Sequence, residues 1–164
     1  LHSNWIVQNG VYYALLTLMR FIIIRGAEKN EEDKALKLSS IILSISSFHY
    51  LLMVLEMYLH TSSPHYPGYI VYVASLYAFI KVGVAIKGCI KLKTTATPAI
   101  VAGNNLKISH AFVSLIFLES GMLNIFGEGT EEERLILLIS GLVVVAYLFV
   151  SGPLLIVWNK RNKV

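Results

Sequence analysis

Five long apolar segments, separated by short polar ones, make up most of this chain. They lie at about residues 5–24, 35–59, 69–92, 106–126 and 135–158. A helix needs about 20 residues to cross a bilayer, and each segment reaches that length. Apolar residues run through them continuously, without the strict alternation that marks the strands of a membrane barrel. The pattern predicts an all-α, polytopic transmembrane helix bundle forming a single domain.

Composition supports this prediction. Of the 164 residues, 55% are hydrophobic and only 15% are charged, whereas a soluble domain carries about 25% charged residues. The connections between the segments are too short to hold a soluble domain. Cys89 is the single cysteine, which excludes an internal disulfide and a metal site built from several cysteines.

The basic residues are distributed unevenly about the predicted membrane. Eleven of the 14 fall near the ends of the first and third segments and in the C-terminal tail, and only Arg134 lies on the opposite side. Because basic residues concentrate on the cytoplasmic side of membrane proteins, we expect a cytoplasmic C-terminus. Basic residues beside helix ends suit anionic lipids of that face, so we expect a lipid bilayer and not nucleic acid as the partner.

The start of the chain leads to a further expectation. Residue 1 is Leu1, and the first segment lacks the basic leader and small-residue cleavage site of a signal peptide. With an external N-terminus, one more hydrophobic helix upstream would give six helices and place both termini inside.

Two opposite charges lie deep in the predicted membrane segments. Lys81 is 12 residues from Tyr69, and Glu119 is 12 residues from Lys107, so each is about 18 Å from its own side of the membrane. Both therefore fall near the middle of a hydrocarbon core about 30 Å thick. Two unpaired charges there would cost about 5 to 7 kcal/mol. We predict a direct or water-bridged pair, or a water-filled cavity.

Three other polar residues lie within the apolar segments. Arg20 is five residues from Arg25, or about 7 to 8 Å from the predicted cytoplasmic end, so its long side chain can snorkel. Glu56 is near the outer end of the second segment and shares a helix face with His49. The candidate intramembrane polar site consists of Lys81, Glu119, Arg20, Glu56 and His49.

Signatures of catalysis or cofactor binding are missing from the sequence. It contains no His-Glu-x-x-His metal motif, nucleophile elbow or phosphate loop. His49 and His110 differ in predicted depth by roughly 13 Å, too much for one haem between two imidazoles. We therefore expect no metal and no cofactor, and we regard an enzyme as the third interpretation, behind the two given below.

Small residues predict where helices pack. Ser40, Ser44 and Ser47 recur at helical spacing and let another helix approach closely, which favours a packing seam over a binding site. Ser151-Gly152-Pro153 interrupts the fifth segment and predicts a kink, because proline removes a backbone hydrogen bond.

Three stretches carry a resemblance to a known group of proteins. They are Tyr12-Tyr13-Ala14-Leu15-Leu16 through Met19-Arg20-Phe21, Tyr66-Pro67-Gly68-Tyr69 through Leu76-Tyr77-Ala78-Phe79, and Leu118-Glu119-Ser120-Gly121-Met122-Leu123. Over about residues 4–147 the chain resembles a family of uncharacterised bacterial multi-span membrane proteins without an established activity. The resemblance implies a bacterial plasma membrane and an upstream helix. Arg20 and Glu119 match its pattern, His110 does not belong to it, and Asn104 replaces an expected lysine.

The sequence is compatible with two functions from different classes. The first is a small transporter, or transporter-like subunit, with a polar site near Lys81 and Glu119. The second is a non-catalytic structural or regulatory membrane protein, as a homo-oligomer or beside a partner subunit, whose buried charges only specify helix assembly. A water-filled cavity that reaches the two charges would favour the first, and a dry, fully paired interior would favour the second.

The orientation yields the first testable prediction. A cysteine introduced at residues 61–63 should react with a membrane-impermeant thiol reagent added outside intact cells, and a cysteine at residues 93–95 should not. Labelling with the opposite pattern would show that the distribution of basic residues does not set the topology of this chain.

Overall fold

In a computed structural model, the part of the chain that the structure describes contains five α-helices. They are α1 (His2–Glu28), α2 (Glu32–Leu59), α3 (Tyr69–Leu92), α4 (Pro98–Phe126) and α5 (Glu131–Arg161). The structure describes residues 2–59, 69–94 and 97–161, with side chains from residue 10 onward except that of residue 70. The turn expected at residues 60–68, Lys163 and the side chain of Trp5 lie outside this part. Within it there is no strand, which confirms the all-α prediction.

All five helices are long and apolar enough to cross a membrane. Many of their largest apolar side chains point away from the bundle: Tyr72 is 73% exposed, Leu59 70% and Phe79 69%. A soluble protein rarely exposes so much contiguous apolar surface. An apolar exterior suits contact with lipid, so the fold is consistent with a multi-pass membrane protein.

Two helices form the centre of the bundle. Within the described residues, α4 packs against all four other helices, and α2 packs against α1, α4 and α5. In the same part of the chain, α3 packs on α4 alone, and α1 and α3 do not pack on each other. The helix α4 therefore connects α1 with α3 in the bundle.

The fourth helix starts earlier than hydropathy predicts. Its predicted apolar segment began at residue 106, but α4 starts at Pro98 and includes most of the expected basic connector. The Thr97 hydroxyl accepts a hydrogen bond from the Ile100 backbone N–H at 3.3 Å, and proline is favoured in the first helical turn. Hydropathy detects only the apolar part of a helix, so the added polar turns escaped the prediction.

Acidic residues of the predicted first connector fasten the start of α2 to two other helices. The Glu32 carboxylate accepts a hydrogen bond from the Ala99 backbone N–H at 3.1 Å, in the first turn of α4. There it also interacts favourably with the positive end of the helix dipole. The Asp33 carboxylate accepts a hydrogen bond from the Asn159 side chain at 2.9 Å, near the end of α5.

The predicted serine seam is where α2 meets α5. Ser40 is buried, and a Cβ atom at Gly152 would lie 2.9 Å from the Ser40 backbone carbonyl oxygen. Only a glycine allows the two backbones to approach this closely. The helix α5 continues without a break through Pro153, which is exposed on the other face.

This seam generates a stability prediction. Gly152→Ala should lower the melting temperature in detergent, because forcing a methyl group against a backbone carbonyl costs about 1 to 3 kcal/mol. Gly83→Ala is the matched control, since nothing lies within 4 Å of the added Cβ. There alanine should gain up to about 1 kcal/mol of helix propensity. Equal stabilisation by both substitutions would contradict the close contact of α2 with α5.

Candidate functional site

The alignment of α3 with α4 sets the depth of the charged residues. The Asn104 side chain lies directly against Gly88, and Val71 would contact a Cβ atom on Gly121 at 3.4 Å. The two contacts are separated by 17 residues on each helix. The helices are therefore antiparallel and stay in register along this length.

This register separates Lys81 from Glu119. Lys81 lies level with Ala111, whereas Glu119 lies level with Val73, eight residues from Lys81 along α3. Eight helical residues span about 12 Å. The predicted depth of Glu119 was counted from Lys107. Because α4 starts nine residues earlier, at Pro98, the Glu119 carboxylate lies much farther from the N-terminal end of α4 than predicted.

The two charges have separate partners in the structure. The Lys81 ammonium group lies over the Tyr77 ring, 4.8 Å from its centroid. The Glu119 carboxylate accepts a hydrogen bond of 2.8 Å from the Ser140 hydroxyl on α5. In the described part of the chain, no ion pair within 4.0 Å joins Lys81 or Arg20 to a carboxylate. The direct Lys81–Glu119 pair considered from the sequence is therefore not formed.

Two basic side chains, Lys81 and Arg20, instead lie within electrostatic reach of the imidazole of His110 on α4. The His110 ring is 6.1 Å from the Tyr13 ring, and the Tyr13 side chain interacts with Tyr77 on α3. We call these five residues the cation cluster: Arg20, Lys81, His110, Tyr13 and Tyr77.

A row of aromatic side chains connects the cation cluster to the Glu119 carboxylate. The ring of Tyr12 is 5.9 Å from that of Tyr13 and 5.7 Å from that of Tyr50 on α2. Tyr50 in turn lies within electrostatic reach of the Glu119 carboxylate. We call this sequence of side chains the polar row: Glu119, Tyr50, Tyr12, Tyr13 and His110.

The middle of the polar row is deeply buried. Tyr12 is 0% exposed and Tyr50 is 4% exposed. The Tyr12 hydroxyl has no hydrogen-bond partner among the residues that the structure describes. Leaving a buried hydroxyl unsatisfied costs about 1 to 3 kcal/mol. The polar row therefore contains a buried hydroxyl whose hydrogen-bonding capacity is not met by the described residues.

The other two candidates from the sequence lie on α2. His49 and Glu56 are both half-buried, and both interact with other groups. His49 precedes Tyr50 of the polar row, and Glu56 lies six residues beyond it, about 9 Å farther along the helix. Of the five predicted site residues, Arg20 and Lys81 share the cation cluster, whereas Glu119 lies at the far end of the polar row.

Two asparagines of α4 contact neighbouring helices nearer the basic end of the bundle. Asn104 is 3% exposed and donates a weak hydrogen bond of 3.5 Å to the Cys89 sulfur. Asn105 accepts a hydrogen bond of 2.6 Å from the Tyr147 hydroxyl on α5. These contacts account for the asparagine found where a lysine was expected, because a lysine in this tightly packed place would bury a charge.

Several side chains of the site escaped the sequence analysis. Tyr12 was not among the predicted site residues, but it lies fully inside the bundle against α2. His110 was discounted because it does not belong to the family pattern, yet it lies within the cation cluster. The sequence did contain one indication of the cation cluster. Tyr77 precedes Lys81 by four residues and therefore lies on the same helix face.

The described residues contain no group of three or more His, Cys, Asp or Glu side chains that could hold a metal ion. No family model, curated protein or solved structure matches the chain. The family resemblance noted in the sequence therefore stays a prediction, and the site has to be interpreted from its own geometry.

Two double-mutant cycles test this geometry. The cycle that combines Glu119→Leu with Ser140→Ala should show a coupling energy of about 0.5 to 3 kcal/mol, as expected for side chains in contact. The cycle that combines Glu119→Leu with Lys81→Met should show a smaller coupling, since about 12 Å separates the two levels. Both are measured by thermal or denaturant unfolding in detergent. A larger coupling in the Lys81 cycle would contradict the register of α3 and α4.

Proposed function

We propose that this chain is a small transporter or transporter-like subunit, in which the polar row carries a polar solute through the helix bundle. The observation that supports this most is the polar row itself. It extends through the interior from Glu119 to His110, nine residues apart on α4, or about 14 Å. That length is close to half the thickness of a hydrocarbon core.

The composition of the polar row favours a role beyond packing. Polar and ionisable residues are costly inside a membrane, and they commonly mark a solute or proton pathway. Here tyrosine hydroxyls and an imidazole, which both donate and accept hydrogen bonds, follow one another through a bundle with an apolar exterior. A buried hydroxyl such as that of Tyr12 is a group to which a passing solute or water can bind.

The two ends of the polar row carry opposite charges. Glu119 accepts a hydrogen bond from Ser140 at one end, and Lys81 and Arg20 act electrostatically on His110 at the other. Because the charges are too far apart to form a direct pair, each end retains a field that acts on a solute. Opposite charges at the ends would also let the two ends favour different parts of one solute.

The proposed setting is a bacterial plasma membrane with the basic end of the bundle in the cytoplasm. The ends of α1, α3 and α5 carry basic residues on the same side: Arg25, Lys91, Lys160 and Arg161. This distribution supports a cytoplasmic C-terminus and contact with anionic lipids there.

Two observations favour the alternative, a structural or regulatory membrane protein. The Ser140–Glu119 hydrogen bond and the close contact at Gly152 are both devices that fix one helix against another. If the polar row is dry, its side chains serve the same purpose and specify helix assembly alone.

Water access to the polar row distinguishes the two functions. His110→Cys in a Cys89→Ser background places a thiol in the row, and the serine keeps an acceptor for Asn104. Phe79→Cys is the matched control, because Phe79 lies two residues from Lys81 but faces outward. In nanodiscs of neutral lipid, His110→Cys should react with small charged methanethiosulfonates at least about tenfold faster, since the reactive thiolate needs water.

A dry interior would give a different labelling result. If neither cysteine reacts with an anionic or a cationic reagent, the interior is dry and the structural alternative holds. A wild-type-like melting temperature of both variants would show that the bundle remains folded during the comparison.

A further inference from the structure

A cavity of about 340 Å³ lies beside the turn between α1 and α2. The turn is tight: the Glu31 backbone N–H donates a hydrogen bond of 2.8 Å to the Gly26 carbonyl oxygen, and Asn30 has a left-handed conformation with φ of 56°. Gly26 lies directly against Ala35, where a side chain would not fit. We call this space the hairpin cavity. The side chains of its lining that could recognise a ligand are Phe21, Arg25, Lys29, Lys34 and Leu38.

The lining of the hairpin cavity has an excess of positive charge. Three of its residues are basic, and one, Glu31, is acidic. The Lys34 ammonium group donates a hydrogen bond of 2.8 Å to the Glu31 carboxylate, so these two charges neutralise each other. Within the described residues, Arg25 and Lys29 have no carboxylate within 4.0 Å. Two positive charges therefore remain to attract an anion.

The other acidic residues near the turn do not supply that anion. Glu32 accepts a hydrogen bond from the Ala99 backbone N–H of α4, and Asp33 accepts one from the Asn159 side chain of α5. Both carboxylates are thus bonded to helices other than α1. Glu28 is not part of the lining that the structure describes.

Away from the turn, the hairpin cavity becomes apolar. Phe21 precedes Arg25 by four residues and Leu38 follows Lys34 by four residues, so each lies about 6 Å farther from the turn along its helix. Both apolar side chains are exposed, on helices long and apolar enough to cross a membrane. The lining therefore changes from basic to apolar in the direction in which a phospholipid changes from phosphate to acyl chain.

The basic side chains suit a phosphate group. The Arg25 guanidinium lies over the Phe21 ring, 5.0 Å from its centroid, which restricts its orientation. Lys29 is four residues farther on and shares the same face of the chain. A guanidinium presents a planar fork that matches two phosphate oxygens, and an ammonium adds a point charge.

From these observations we propose that the hairpin cavity binds one anionic phospholipid, with its phosphate at Arg25 and Lys29 and an acyl chain against Phe21 and Leu38. A free anion would leave the apolar wall without a partner, and a zwitterionic lipid would leave the two positive charges uncompensated. The inference rests on the membrane setting of the chain and concerns a site apart from the polar row.

Lipid binding to the purified protein in a maltoside detergent tests the proposal. Native mass spectrometry measures the affinities for phosphatidylglycerol and for phosphatidylcholine with identical acyl chains. We expect phosphatidylglycerol to bind at least about tenfold more tightly, because basic residues at a membrane surface attract anionic lipids. Equal affinities for the two lipids would overturn the proposal.

Matched variants show whether this preference belongs to the hairpin cavity. Arg25→Gln should reduce the affinity for phosphatidylglycerol at least about fivefold. Lys91→Gln also removes a cation from the last turn of a helix, but outside the cavity, and should change the affinity less than about twofold. Lys29→Gln and its control Lys37→Gln repeat the comparison, in case Arg25→Gln does not fold. Equal losses in the cavity variants and their controls would contradict the proposed site.

The apolar part of the hairpin cavity is tested separately. Leu38→Ser should reduce the affinity for phosphatidylglycerol at least about threefold, because the acyl chain loses apolar contact. Leu59→Ser, at the other end of α2, is the control for an exposed leucine. Glycerol phosphate, which lacks acyl chains, should not displace phosphatidylglycerol at equal concentration. Efficient displacement would show that the cavity takes a free anion, and the lipid site would be wrong.

These results are independent of the polar row. Loss of the preference for phosphatidylglycerol would overturn the lipid site and leave thiol labelling at His110→Cys as the test of the proposed function. A dry polar row would overturn the proposed function without changing lipid binding at the hairpin cavity.

Discussion

In a bilayer, an apolar side chain gains little by moving from lipid into the space between helices, so other interactions have to hold the helices together. This bundle follows that constraint. Large apolar residues such as Tyr72, Leu59 and Phe79 face outward, while serines, asparagines and glycines lie between the helices. Gly152 lets α5 approach α2, and Asn104 fits against Gly88 where α4 meets α3. The close packing at these small residues sets the register, and the register decides which polar side chains meet in the interior.

The polar row and the cation cluster are consequences of that register. With Gly88 opposite Asn104, Lys81 comes level with Ala111 and therefore next to His110, while Glu119 lies about 12 Å farther along the axis. The bundle thus keeps its central charges apart and fills the space between them with tyrosine. This geometry supports the proposal of a transporter in which the polar row carries a polar solute.

Hydropathy alone predicted five helices and the all-α fold class. It could not predict the depth of Glu119, because α4 continues through polar turns to Pro98, and only the Thr97-Pro98 capping signal marks that start. It could not pair side chains across helices either. Which residue of α3 faces His110 depends on the contacts of small residues such as Gly88 and Gly121, which a one-dimensional pattern does not contain. The sequence also could not show that Tyr12 lies inside the bundle, because that depends on the packing of α1 on α2.

The central claim is that polar side chains in the interior form a hydrated pathway and not a dry packing layer. An experimental structure of the protein in neutral lipid, at a resolution that shows ordered water, tests it most directly. Our account predicts water or solute bound to the Tyr12 hydroxyl. It would be contradicted by side chains that fill the polar row completely, with the Tyr12 hydroxyl bonded to a protein group.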